Sequence, residues 1–304
     1  MKLTRKNTLI IGLGVIGASF ALALRKAGVC GIINGFDTNT DHLSHALNAG
    51  YIDNAADNPE TAAAAADFIV LAVPARAIPN YLHNLAPYMA AGTIIMDVGS
   101  SKRAIVEAMD CLPKHIQAIG GHPMTGVLTA GVTEPCAELF DGRIFFLIPT
   151  ARTTQKSLLW LQKVITQIGA VIKIVNAQEH DRAAAIMSHL PHALSIMLAH
   201  TAANCPIPDI KDYAAGGFRS IAEKSAINPT MWADIFYTNK REVISAIEIY
   251  GQELQAFTAL LQQNDPTILL EYLQQTQSWW NELTAGAADQ TPQAPHSQST
   301  AVTE

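Results

Sequence analysis

A glycine-spaced turn, Gly12-Leu-Gly-Val-Ile-Gly17, stands between the apolar, β-branched run Thr8 to Ile11 and the helical stretch Ala18 to Ala27. That order dictates a strand, a tight turn and a helix. The first glycine permits the turn, the second lets backbone approach a pyrophosphate, and the third lets helix pack on strand. Free N–H groups at the helix start, around Val15 and Ile16, then face phosphate oxygens. Asp37 closes the next strand, Ile32 to Phe36, 25 residues after Gly12. A carboxylate there accepts ribose hydroxyls and repels a 2'-phosphate, and Thr38, Asn39 and Thr40 bring no arginine to clamp one. The expected cofactor is NAD. A further apolar strand, Phe68 to Val73, ends at Pro74. Val73 and Pro74 therefore join Gly12, Gly14, Val15, Ile16, Gly17 and Asp37 as expected cofactor contacts.

Apolar runs continue to alternate with helical patterns: Thr93 to Val98, Ile116 to Ile119, Ile144 to Ile148, the helix Ser157 to Ile168, and Val171 to Val175. This alternation predicts a Rossmann-like parallel sheet with crossover helices over residues 1–175. Asn176, three residues before Glu179, starts a helix as an N-cap. From there to Leu283 the period is helical, with Leu190, Leu194 and Leu198 on one face. The fold class is thus an N-terminal α/β domain followed by an all-α C-terminal domain, residues 176–283. A mostly apolar helical domain of that size predicts a homodimer packed through it. Residues 284–304, rich in Ala, Gly, Gln, Ser and Pro, are expected to be disordered.

Composition excludes several classes. The 304-residue chain is 49% hydrophobic with a net charge of -6, against nucleic acid as partner. Cys30, Cys111, Cys136 and Cys205 are far apart and form no short metal-binding spacing. Scattered thiols, no signal peptide and no run of 18 apolar residues point to a cytoplasmic protein without a membrane span.

In an open parallel sheet, ligands sit beyond the carboxyl ends of the strands. Ser100, Ser101 and Lys102 follow one strand there, and His122, in a glycine-flanked loop, follows another. Within the first helix of the second domain, Ser188-His-Leu-Pro-His192 places two histidines three apart, on one side. Pro191 removes a helical hydrogen bond nearby, leaving a carbonyl near residue 187 unpaired.

With these residues in view, the sequence resembles the prephenate/arogenate dehydrogenase family. The matching pieces, in family order, are Gly12 to Ser19, Asp97-Val-Gly-Ser-Ser-Lys102, Gly120-Gly-His-Pro-Met-Thr-Gly126, Leu139-Phe-Asp-Gly-Arg143, Ser188 to His192, Gly216-Gly-Phe-Arg219 and Asn228-Pro-Thr-Met-Trp232. The resemblance implies NAD-dependent oxidation of a cyclohexadiene bearing a 4-hydroxyl and a ring carboxylate. Hydride leaves C4, CO2 departs and the ring becomes aromatic. It also implies that His122 takes the hydroxyl proton, that Ser100 orients that hydroxyl, and that His192 acts from the helical domain. Ser101, His189, Arg219 and Lys224 are further expected substrate contacts.

Two departures from the family pattern stand out. Val127 and Leu128 stand where it has a Thr/Ser-Glu pair. Glu223 stands where it has an arginine for a substrate carboxylate, leaving Lys224, Arg219, Lys102 and Arg143 as candidate cations. Two alternatives stay open at this level. One is a relative acting on a different cyclohexadienyl or 3-hydroxy acid, with Lys211 or Lys224 in play. The other is a non-catalytic NAD-binding sensor. No chorismate mutase-like segment is left over, so a monofunctional chain is expected.

Overall fold

The computed structural model describes residues 4–125, 134–263 and 265–288. Val127, Leu128 and residues 289–304 lie outside these. In chain order the strands are β1 (Lys6–Ile11), β2 (Cys30–Phe36), β3 (Asn54–Ala55), β4 (Phe68–Leu71), β5 (Ile94–Asp97), β6 (Gln117–Pro123), β7 (Ile144–Pro149) and β8 (Val171–Ile174). They form one sheet in the order β3-β2-β1-β4-β5-β6-β7-β8. The crossover helices are α1 (Val15–Ala27), α2 (Thr40–Asn48), α3 (Pro59–Ala64), α4 (Ile78–Leu85), α5 (Arg103–Asp110) and α6 (Gln155–Gln167).

Strands β4 and β5 are buried at every position: β4 is an uninterrupted apolar run covered on both faces, and β5 is apolar up to its last residue, Asp97. Alternate residues feed two cores. Ile10, Val70 and Met96 pack with Phe20 of α1 and Leu161 of α6, while Leu9, Leu71 and Ile95 pack with Leu82 of α4 and Met109 of α5. Each fully buried aliphatic side chain of this kind contributes about 1.5–3 kcal/mol.

Two features differ from the sequence expectation. Strand β7 runs antiparallel to β6, so the sheet is mostly rather than wholly parallel. His122, expected in a loop, is the penultimate residue of β6, opposite Phe146. Gly120 and Gly121 read as loop residues, yet both pair within β6, and Gly121 occupies a position where no side chain fits. A Cβ on it would lie 2.5 Å from the Asp97 carbonyl oxygen.

Beyond the sheet run α7 (Ala177–Ala184), a π-helical turn Ala185–His189, α8 (Leu190–Ala203), α9 (Gly216–Ala222), α10 (Pro229–Thr238), α11 (Lys240–Gln262) and α12 (Pro266–Ala288). The Asn176 side chain accepts the Glu179 N–H at 2.9 Å and caps α7. Packing continues across residue 176: the Asp181 carboxylate takes the backbone N–H groups of Lys102 and Arg103 at the start of α5. The first compact unit accordingly runs through Glu248, and the second begins at Ile249. In the second unit, helix α12 reaches Ala288. Residues 284–288, expected in a disordered tail, are therefore helical, with the Thr284 hydroxyl donating to the Trp280 carbonyl. Leu254, Leu261, Leu270, Trp279 and Trp280 of this unit are exposed. Among the described residues no helix is long and apolar enough to cross a membrane.

Candidate active site

The glycine turn does what its spacing predicts. Gly12 has φ +93°, a region L side chains rarely adopt, and a Cβ there would strike the Ala72 carbonyl. A Cβ on Gly17 would strike the Gly12 carbonyl oxygen, so helix and strand meet only through glycine. At Gly14, by contrast, a Cβ would meet no protein atom within 4 Å. That open space faces the first turn of α1, which has no side-chain cap and no acidic residue. Residues Val15, Ile16 and Gly17 thus begin a helix whose N–H groups and positive dipole end suit a pyrophosphate. The adjoining cleft, about 330 Å³, is lined by Gly12, Gly14, Asp37, Val73 and Pro74 together with Thr38, His42 and Tyr81. Asp37 accepts the Leu13 N–H at 2.6 Å and the Asn39 N–H at 2.8 Å. These bonds fix the carboxylate at the rim, and its remaining lone pairs suit ribose hydroxyls. The residues present fit a dinucleotide.

The chemistry-bearing end of the sheet is built on a buried ion pair. Lys102 and Asp97 are both fully buried, and the Lys102 ammonium bonds the Asp97 carboxylate and the Gly121 carbonyl. Asp97 also accepts the N–H groups of Gly99 and Gly121. Both backbone polar groups of the residue before His122 are therefore pinned. Burial pushes the Lys102 ammonium below its ordinary value, against the pull of Asp97 and then Asp181. This enclosure removes Lys102 from the candidate substrate cations: a lysine sealed behind β5 and β6 reaches no ligand. Ser100 lies half-buried on the turn after β5, and Ser101 is buried.

His122 Nδ1 lies 2.8 Å from His180 Nε2 on α7, and His180 Nδ1 lies 2.8 Å from Asp181 Oδ1. Burial, then the charges of His180 and Lys102, hold the His122 imidazole well below the usual histidine range. The His180 imidazole is also lowered, chiefly by burial. At Asp181, burial works to raise the carboxyl, but the bonds from His180, Arg103 and Lys102 outweigh it and hold it below the usual range. At neutral pH the row is two neutral imidazoles and one carboxylate.

From the helical side, His192 stacks on Trp232 with ring centroids 3.8 Å apart, and its Nδ1 bonds the Ser188 carbonyl at 2.9 Å. The π-helical turn absorbs the register that Pro191 disrupts, and this ring nitrogen satisfies a carbonyl there. His189 is 1% exposed. Its Nδ1 accepts from Asn239, which also donates to the Asp181 carbonyl. Burial lowers the His189 pKa to about 4. The Ser195 hydroxyl on α8 donates to the Ile221 carbonyl and fastens α8 to α9, bringing Lys224 near His192. Burial lowers the His192 pKa, and the Lys224 charge pushes it the same way. Glu223 is exposed; Arg219 is exposed, its Nε donating to the Ala214 carbonyl. Arg143 is also exposed.

Residues 20–174 match the family model of the prephenate dehydrogenase nucleotide-binding domain, and residues 176–275 that of the prephenate dehydrogenase dimerization domain. The chain belongs to the prephenate dehydrogenase family. It is 30% identical over 276 residues to a prephenate dehydrogenase of Bacillus subtilis, spanning 90% of this chain and 74% of that one. The crystal structure of prephenate dehydrogenase from A. aeolicus in complex with hydroxyphenyl propionate and NAD+ matches with a TM-score of 0.86 at 31% identity, covering 93% of this chain and 100% of that one. Synechocystis arogenate dehydrogenase gives a TM-score of 0.79 at 28% identity, covering 91% and 99%.

For a member of the prephenate dehydrogenase family, the departure at Glu223 is local. Its side chain is exposed, while the neighbouring Lys224 is half-buried and its charge adds to the lowering of the His192 pKa. The departure at Val127 and Leu128 lies outside the described residues. Sequence reasoning missed His180, Asp181 and Asn239. The available signal was an adjacent His-Asp pair one turn into a capped helix. In a segment as polar as Gln178 to Arg182 it reads as solvated surface, and only the buried contact with α5 shows otherwise.

Proposed function

We propose that this chain oxidises prephenate, arogenate or both with NAD, releasing CO2 and yielding 4-hydroxyphenylpyruvate or tyrosine, a step of tyrosine biosynthesis. The observation that carries this reading is the His122 imidazole at the carboxyl end of β6, bonded to His180 and in the same compact unit as the dinucleotide cradle. Gly12, Gly14, Val15, Ile16, Gly17, Asp37, Val73 and Pro74 hold the cofactor, which accepts a hydride when bound. Ser100 orients the 4-hydroxyl of the ring. His122 takes its proton as hydride leaves C4. The bond to the ring carboxylate then breaks, its electron pair flows toward oxygen, and the phenolate recovers the proton from His122. Aromatisation and CO2 loss drive the step, so the protein's task is alignment and a well-placed base.

His192, stacked on Trp232, and Lys224 line the substrate side, Lys224 supplying the cation for a side-chain carboxylate. The buried His189 packs edge-on against Trp232 behind this wall, and Ser101 and Arg219 complete the proposed substrate contacts. The protein acts as a homodimer through its helical part, consistent with the exposed apolar residues of α11 and α12 and with the name of the matched domain. Its free cysteines suit the cytoplasm.

The test is purified protein with NAD and each acid in turn, following absorbance of the reduced nicotinamide. Turnover is expected on at least one. The His122→Asn variant should bind NAD normally and lose roughly 10²-fold or more in kcat, the range for removing a general base. Near-normal turnover in that variant, or none in the native protein, refutes the assignment.

A further inference from the structure

We propose that His180 and Asp181 form a positioning dyad that locks His122 in one tautomer, Nδ1 protonated and Nε2 carrying the lone pair that receives the substrate proton. The inference rests on the reading of His122 as base and names the residues that make it one. The assignment follows from counting donors. Asp181 accepts the backbone N–H of Lys102 on Oδ1 at 2.7 Å and that of Arg103 on Oδ2 at 2.9 Å. Two such N–H donors bind a carboxylate, which has no proton to give. His180 Nδ1, 2.8 Å from the same carboxylate, must therefore be the N–H donor. In a neutral imidazole the other nitrogen is then an acceptor, so His180 Nε2 presents a lone pair. His122 Nδ1, 2.8 Å away, must donate to it. His122 Nε2 is left unprotonated, the state a base requires. The opposite assignment would set a lone pair of His180 against the Asp181 carboxylate.

The dyad positions and does not shuttle. Asp181 is 2% exposed and His180 1%, so the row offers a proton no way to solvent. The chemistry asks for none, because the proton borrowed from the alcohol returns to the phenolate oxygen. What the row supplies is orientation: the His122 ring is held on one side by β6 and on the other by a helix whose carboxylate is itself bolted to the start of α5. A carboxylate that fixes a neighbouring imidazole's tautomer is a well-attested device in hydrolases. Here it acts through an intervening imidazole.

Histidine-selective 15N labelling of the full-length protein, read by long-range 1H–15N correlation at pH 7.5 with and without NAD, tests the tautomer directly. The His122 signal is identified by its loss in His122→Asn. It should show Nδ1 protonated. In His180→Leu that pattern should be lost, with kcat down at least about tenfold and the KM values for NAD and the acid within about threefold. In His180→Gln the amide oxygen falls near the position of the ring Nε2 and accepts the same hydrogen, so tautomer and kcat should return to within a few-fold of native. A His122 protonated on Nε2 in the native protein overturns the proposal. So does an unchanged kcat in His180→Leu, or a His180→Gln variant no better than His180→Leu. If neither acid is turned over, the functional reading fails, and the tautomer of the native protein still decides this one.

Discussion

Of the departures from the family pattern, the one at Glu223 lies among the described residues, and its consequences belong to the residue scale. Glu223 would repel a carboxylate placed beside it, whereas Lys224 would attract one. Arogenate carries an amino group where prephenate carries a keto group, so Glu223 beside Lys224 suits an amino acid side chain, cation and anion each finding an opposite. The expected order is therefore arogenate above prephenate in kcat/KM. Lys224→Gln should raise KM for the acid roughly tenfold, the loss of one charge-assisted contact, with NAD affinity unchanged. Glu223→Arg should shift the ratio toward prephenate. Steady-state kinetics on both acids check both variants, and a KM untouched by Lys224→Gln would remove that lysine from the site.

Elements show how far a sequence carries such a reading. The glycine turn and the cap at Asn176 were legible because each is a local rule, the residues that cause the structure lying within a few positions of it, and Asp37 because it stands at a fixed place, the end of the second strand. Less legible was β6, where Gly120-Gly121 signals a loop although both residues pair in the sheet, Gly121 at a point where the Asp97 carbonyl leaves no room for a side chain. Lys102, a residue type that sequence alone assigns to the surface, is sealed by a partner five positions earlier and a carbonyl nineteen later. His180 meets His122 across 58 residues, a distance at which no spacing rule applies. The π-helical turn adds a further element-scale property. His189, at its end, has a folded-state pKa of about 4, below its unfolded value of about 6.5. Between those values the unfolded chain takes up the proton first, so the stability this residue supports is present above pH 6.5 and is lost as pH falls toward 4. The loss amounts to about 3 kcal/mol. His189→Asn keeps an acceptor for Asn239 and does not titrate. Urea midpoints measured from pH 7.5 to 4 should therefore fall more steeply in the native protein than in this variant; parallel curves would contradict the burial argument.

For the whole molecule, the exposed apolar residues of α11 and α12 imply assembly. Sedimentation equilibrium at micromolar concentration should return twice the 32.6 kDa chain mass, and a monomer there would leave those surfaces unexplained. The ladder position of His122 has an evolutionary corollary. The proposed base, seated on an interior strand with the preceding residue pinned by a sealed ion pair, has almost no freedom to drift. Recognition, which the proposed function assigns to α8, α9 and the turn at Glu223, has no such constraint. Divergence of substrate choice in this lineage can then proceed through the helices alone, and laboratory retargeting toward other ring acids would do well to begin there.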